Sequence, residues 1–187
     1  MKSCLIVIDA QESFRDRPFF TDQHLNTYLQ AQNALITGAQ RQRIPIVRVF
    51  HASGPAIASS PFAIESGQVR AIDGLQLFEA ALTVTKSRHS ALVGTGLEVW
   101  LTEHHIGRLI VSGIRTEQCC ETTTRHASDL GWTVDFCLDA TLTFDMTQPD
   151  GTPLLAKDIK AHTATVLQDR FARICTVDEA LTAAVAA

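Results

Sequence analysis

Three residues of this chain have the chemistry of a covalent catalyst: Cys119, Asp9 and Lys86. The stretch Gly113-Ile114-Arg115-Thr116-Glu117-Gln118-Cys119 joins an apolar strand-like run, Arg108-Leu109-Ile110-Val111-Ser112, to a helix that opens on the cysteine. If Thr116 caps a helix starting at Glu117, Cys119 falls at the third helical position. There the unpaired backbone N–H groups and the helix dipole both favour a thiolate. A free cysteine titrates near about 8.5, so a modest downward pull would populate the nucleophile at neutral pH. Asp9 closes the run Leu5-Ile6-Val7-Ile8, and Lys86 closes a weaker one, Leu82-Thr83-Val84-Thr85. The carboxyl ends of the strands form the ligand crevice of an open parallel sheet, so three groups placed there can converge although far apart in sequence.

Each residue also has a plainer reading. Cys119 could be a small core residue at a helix start, facing inward with Thr123, Ala127 and Leu130. Asp9 could be a strand-end turn residue and Lys86 a solvated charge. Cys120 is the rival thiol, but one position along a helix points about 100° away, which suits a core residue. If the three groups act together, a single carboxylate can take the thiol proton and return it to a leaving amine. A nearby ammonium would hold that carboxylate and favour the thiolate, which makes Lys86 an orienting group.

The elements that must position these groups follow a βα rhythm. Short apolar runs at Cys4 to Ile8, Ile44 to Phe50, Leu82 to Thr85, Arg108 to Ser112, Thr133 to Leu138 and Ala172 to Cys175 alternate with helical patterns. Leu25, Tyr28, Leu29, Gln32, Leu35, Ile36 and Ala39 keep helical spacing between the first two runs. The clearer runs are continuously apolar, as parallel strands buried on both faces are. The expected fold is α/β, a three-layer α/β/α sandwich with a mainly parallel six-stranded sheet. Residues 52–74, rich in Ser, Gly, Ala and Pro, read as a long loop over the crevice, and residues 141–153 as a second loop, either a lid or a subunit contact. Thr176-Val177-Asp178-Glu179 is a capping-box pattern that starts a tail helix.

A chain of 187 residues with 45% hydrophobic and 19% charged residues suits one compact domain, residues 1–187. A net charge of -4 without any Lys/Arg run argues against a nucleic-acid or anionic membrane surface and leaves a small molecule as the expected partner. No secretory leader pattern and no apolar stretch long enough to span a bilayer is present. Five cysteines without regular spacing suit reduced thiols in a cytoplasmic protein, with Cys4, Cys137 and Cys175 in apolar runs as core residues.

The chain resembles the isochorismatase-like cysteine hydrolases, which include nicotinamidases, N-carbamoylsarcosine amidohydrolases and ureido- or maleamate-type amidases. The resemblance runs nearly end to end. It rests on Ile8-Asp9-Ala10-Gln11 with Phe14, on Lys86-Ser87-Arg88-His89-Ser90-Ala91 with Thr95 and Leu97, on Gly113 to Cys119 with Thr124-Arg125-His126-Ala127, and on Asp139-Ala140. It implies an Asp9, Lys86, Cys119 triad and a non-proline cis peptide between Ile114 and Arg115. It also implies an oxyanion held by the backbone N–H groups of Arg115 and Cys119. Members of the family commonly self-assemble, so a homo-oligomer of open size is expected.

Gln11, Phe14, His51, Phe62, Arg88, His89 and Phe144 are pocket candidates by position. In nicotinamidase-type relatives the loop after the second strand carries an Asp and two His residues that hold a divalent metal. Here Phe50-His51-Ala52-Ser53-Gly54-Pro55 offers one such ligand, so neither a metal nor another cofactor is expected. His104 and His105 sit at a helix end and read as solvated residues.

The favoured activity is hydrolysis of a small amide, carbamoyl or ureido compound through a thioester. One alternative is an isochorismatase-type vinyl ether hydrolase, which needs no cysteine. Another is a non-catalytic thiol or binding protein using the adjacent Cys119 and Cys120, although neighbouring cysteines form a strained disulfide at best.

Overall fold

The computed structural model describes residues 1–53 and 60–185. In chain order the elements are β1 (Lys2–Ile8), α1 (Leu25–Arg41), β2 (Ile46–His51), β3 (Leu82–Lys86), α2 (Leu97–Glu103) and β4 (Ile106–Ile114). A π-helical turn (Thr116–Cys120) follows, then α3 (Glu121–Asp129), β5 (Thr133–Leu142), β6 (Met146–Thr147), β7 (Pro153–Leu154), α4 (Ala156–Leu167), β8 (Arg173–Cys175) and α5 (Val177–Val185). Six strands form one sheet in the order β3-β2-β1-β4-β5-β8, and every pairing in it is parallel. The expected three-layer α/β/α architecture is what the chain adopts.

Alternation along β1 explains the layers. Cys4, Ile6 and Ile8 point into one core with Leu97 and Leu101 of α2, Ala127 of α3 and Leu167 of α4. Leu5 and Val7 point into the other with Leu25, Leu35 and Ile36 of α1 and Ala180 of α5. A strand buried on both faces reads as an unbroken apolar run, which is why β1 was visible as one. The tail helix starts at the expected capping box: Glu179 Oε2 accepts from Thr176 N–H at 2.8 Å and Thr176 Oγ1 accepts from Glu179 N–H at 3.3 Å. No helix of the described residues is long and apolar enough to cross a membrane.

Several expected boundaries shift. β4 and β5 are longer than their apolar runs, and their register slips between Val111 and Gly113, so that Val111 pairs with Phe136 while Gly113 pairs with Thr141. The expected 141–153 loop is therefore partly strand: β5 continues through Leu142, and β6 pairs with β7 as a small antiparallel ribbon. Within the expected 52–74 loop, residues 54–59 lie outside the described residues. The remainder is pinned to the segment after β1: Ile72 N–H donates to Ala10 O, Glu12 N–H to Arg70 O and Ser13 N–H to Gln68 O at 2.9, 3.0 and 3.1 Å.

Chain order makes β1 the switch point. Successive strands run outward from β1 through β2 to β3, then return to β4 on its other side. Crevices form beyond the carboxyl ends of strands at such a point. β4 must press close against β1 to reach it, and Gly113 permits this. Its φ is +126°, and a Cβ there would collide with the Ile8 carbonyl. Gly113→Ala is expected to cost about 4 kcal/mol or more, both through that collision and through a backbone conformation that L residues avoid. Urea denaturation of the purified variant measures it; a loss below about 1 kcal/mol would show that the two strands can separate locally at little cost.

Candidate active site

Four adjacent strands, β3, β2, β1 and β4, deliver one residue each to the crevice. Lys86 is the last residue of β3, His51 the last of β2, Asp9 follows β1, and Cys119 lies in the turn after β4. Asp9 adopts a left-handed conformation, φ +49°, uncommon for a residue with a side chain and concentrated at functional positions. Its N–H donates to Val49 O at 2.8 Å, which fixes the turn against β2.

Lys86 is the hub. Its side chain is fully buried, and Nζ donates to Asp9 Oδ2 at 2.7 Å, contacts His51 Nδ1 at 3.0 Å and donates to Cys119 Sγ at 3.2 Å. Three ammonium hydrogens meet three acceptors, so this lysine is not the solvated charge of its plainer reading. Burial disfavours the ammonium, but Asp9 and Cys119 outweigh it and hold Lys86 above its ordinary value. Burial likewise pushes the Asp9 carboxyl up, opposed by Lys86. These two tendencies conflict, and the 2.7 Å contact decides between them: a lysine raised by its neighbours needs a negative partner, so the resting pair is ammonium and carboxylate.

The thiol departs from expectation. Burial first, and then the Asp9 charge, push Cys119 up to about 12, while Lys86 pulls it down only in part. The helix-start argument fails on local structure as well. Thr116 Oγ1 donates to Thr141 Oγ1 at 2.9 Å rather than capping, and the turn it opens is π-helical. Cys119 therefore rests as a thiol with the Asp9 carboxylate within 4.8 Å. Asp9 Oδ1 is buried with no hydrogen-bond partner, and the Asp9, His51 and Cys119 donor atoms all lie within 4.8 Å of one another. Cys120, by contrast, is fully buried in the core, as are Cys4 and Cys137, with Cys175 nearly so.

His51 is the member whose role in the cluster was not legible in sequence. Burial, Lys86 and His89 hold it down at about 4, so the ring is neutral at pH 7. Its Nδ1 faces an ammonium and must accept, which assigns the proton to Nε2. Asp9, His51 and Cys119 also have the spacing of metal ligands, but the Lys86 ammonium already touches all three. A divalent ion there would have to displace it, so these three donors do not fit a metal while Lys86 holds them.

A cavity of about 480 Å³ opens above the cluster. Of the expected pocket residues, Phe14, His51, Phe62 and His89 line it, together with Cys119. Three others do not. Gln11 is buried behind the wall, where its side chain bonds both the O and the N–H of His51 at 3.0 and 2.8 Å and so anchors the end of β2. Arg88 is exposed and donates to Ser87 O. Phe144 is buried behind Phe14 and Phe19, with ring centroids 6.5 and 5.3 Å away. Wall residues not foreseen include Arg17, Phe19, Gln118 and the side chain of Arg115, which was expected to act only through its backbone. The Ile114–Arg115 peptide is cis, as the resemblance implied.

Comparison with known proteins places this geometry. The chain is 26% identical to YrdC of Bacillus subtilis, an uncharacterised isochorismatase family protein, over 179 residues, 95% of this chain and 94% of that one. A 62-residue stretch is 42% identical to nicotinamidase 3 of Arabidopsis thaliana, covering 33% of this chain and 31% of that protein. Among solved structures, a cysteine hydrolase from Pseudomonas syringae superposes with a TM-score of 0.89 at 20% identity, over 99% of this chain and 93% of that one. An isochorismatase from Pseudomonas putida KT2440 superposes with a TM-score of 0.81 at 26% identity, over 95% and 89%. Since the isochorismatase domain family model matches residues 3–179, nearly the whole of it, the chain belongs to the isochorismatase family.

Proposed function

We propose that this protein is a cysteine hydrolase that cleaves a C–N bond of a small amide, carbamoyl or ureido compound, with Asp9, Lys86 and Cys119 as its reacting groups. One observation carries the reading: a buried ammonium in contact with both a carboxylate and a thiol at the foot of a substrate-sized cavity. In the first half-reaction the Cys119 proton passes to Asp9 as sulfur attacks the carbonyl carbon. Because the resting thiol lies far above neutrality, ionisation and attack are coupled, and Lys86 stabilises the sulfur charge as it forms. The tetrahedral oxyanion is taken by the N–H groups of Arg115 and Cys119. In support, the neighbouring Gln118 and Cys120 N–H groups are already committed to Arg115 O at 3.2 Å. Asp9 returns its proton to the nitrogen, the C–N bond breaks, and ammonia or an amine leaves a thioester. Water, deprotonated by Asp9, then attacks the thioester carbonyl and releases the acid and the thiol.

The vinyl ether chemistry of an isochorismatase needs no thiol, and a cysteine placed against Lys86 and Asp9 favours the amide reading. Acid quench during turnover of a hydrolysed amide, followed by intact-mass and peptide analysis, is expected to find the acyl group on Cys119. An adduct on another residue, or none while hydrolysis proceeds through a burst, would sink the thioester step.

A further inference from the structure

The charge on the cavity wall is one-sided. Two arginines, Arg17 and Arg115, line it, the His51 ring beside them is neutral, and no carboxylate lines it among the described residues. Both guanidinium groups rest on one ring: the Cζ atoms of Arg115 and Arg17 lie 4.7 and 5.7 Å from the Phe19 centroid. Two like charges sharing a ring repel each other, and an anion between them relieves that repulsion.

Arg115 is the unusual one. Its side chain is only 7% exposed, and a buried guanidinium normally spends its five donors on partners. Among the described residues its ion-pair partner is Glu117, 3.0 Å from Nη2 and outside the cavity lining, yet Nε and Nη2 make no hydrogen bond. The aromatic seat on Phe19, with Phe144 at 5.8 Å, holds the group in place without using any donor. A rigid, desolvated fork with spare donors at a cavity wall is the arrangement that recognises a carboxylate.

We propose that the cavity selects small amides that carry a carboxylate, gripped by Arg115 and steered by Arg17, with the apolar span of the substrate against Phe14 and Phe62. This rests on the hydrolase reading of the same site, since it assumes that the amide carbon lies over Cys119.

The test separates the two ideas by measuring binding apart from turnover. Malonamate, succinamate and glutaramate differ from malonamide, succinamide and glutaramide only in a carboxylate replacing one carboxamide. Calorimetry with Cys119→Ala is expected to show at least one monoamide binding about tenfold or more tighter than its diamide. That preference should fall below about threefold when Arg115→Met is added, return in part with Arg115→Lys, and weaken at high salt. Should Arg115→Met fail to fold, Arg17→Met, at an exposed position, must still lower the preference by about threefold. Equal binding of monoamides and diamides, a preference that survives both arginine changes, or no binding by any of the six compounds up to about 10 mM would overturn the proposal. If the preference stands and needs Arg115, yet the wild type hydrolyses none of these amides, the hydrolase reading falls and the anion site survives. If Cys119-dependent hydrolysis treats diamides and monoamides alike, the hydrolase reading survives and the anion site falls.

Discussion

Replacement of Cys119 by alanine is expected to lower hydrolysis of a good amide substrate by about 10⁴-fold or more, with kcat carrying the loss. Removing the nucleophile of a covalent hydrolase has an effect of that size, and the remaining groups supply only residual catalysis. Cys120→Ala is the matched control. Cys120 is fully buried and packs in the core with Leu97, Leu101 and Ala127, so its truncation should cost about 1 kcal/mol of stability and change activity less than threefold. Ammonia release by the two variants reads the difference directly. If Cys119→Ala keeps a tenth or more of the wild-type rate, the thiol is not the nucleophile. Retained activity on a vinyl ether substrate would then point to non-covalent isochorismatase chemistry.

The parts of the architecture legible in sequence were those governed by burial. Leu5 to Ile8 is apolar without interruption because both faces of β1 are covered, and that pattern survives in any fold with helices on both sides of the sheet. The far end of β5 was not legible. Asp139 and Thr141 break its apolar run, and the strand extends there because the slip beside Gly113 restores pairing with β4. His51 was visible only as a pocket candidate. Its contact with Lys86 depends on β2 and β3 lying side by side, a property of strand order that no single segment carries. Arg115 sat in the motif, but its side chain mattered less in sequence than its N–H, because its seat on Phe19 comes from a segment nearly a hundred residues earlier. The thiol was misread for an energetic reason. A helix terminus contributes about 0.3 to 1 kcal/mol, whereas burial and a neighbouring carboxylate act on the same group with several times that effect.

That competition sets the direction of the second large prediction. Asp9 raises the Cys119 pKa and Lys86 lowers it, so removing the two charges should move the thiol in opposite directions. In the wild type, a thiol at about 12 leaves roughly one molecule in 10⁵ ionised at pH 7, and iodoacetamide labelling at Cys119 should rise about tenfold per pH unit through pH 10 without a plateau. Asp9→Asn should label faster than the wild type at every pH, and Lys86→Met slower. Both should nevertheless lose about 10³-fold or more in hydrolysis, the first because no base takes and returns the proton, the second because nothing holds the carboxylate or stabilises the sulfur charge. Lys86→Met also leaves the Asp9 carboxylate buried and unpaired, which costs about 3 to 5 kcal/mol of stability and could unfold the variant. The double variant Asp9→Asn/Lys86→Met removes that unpaired charge and keeps the comparison usable. Peptide-mapped labelling rates across pH 7 to 10 distinguish the cases. Slower labelling in Asp9→Asn would mean that the carboxylate activates the resting thiol, and that Cys119 is a thiolate before substrate arrives.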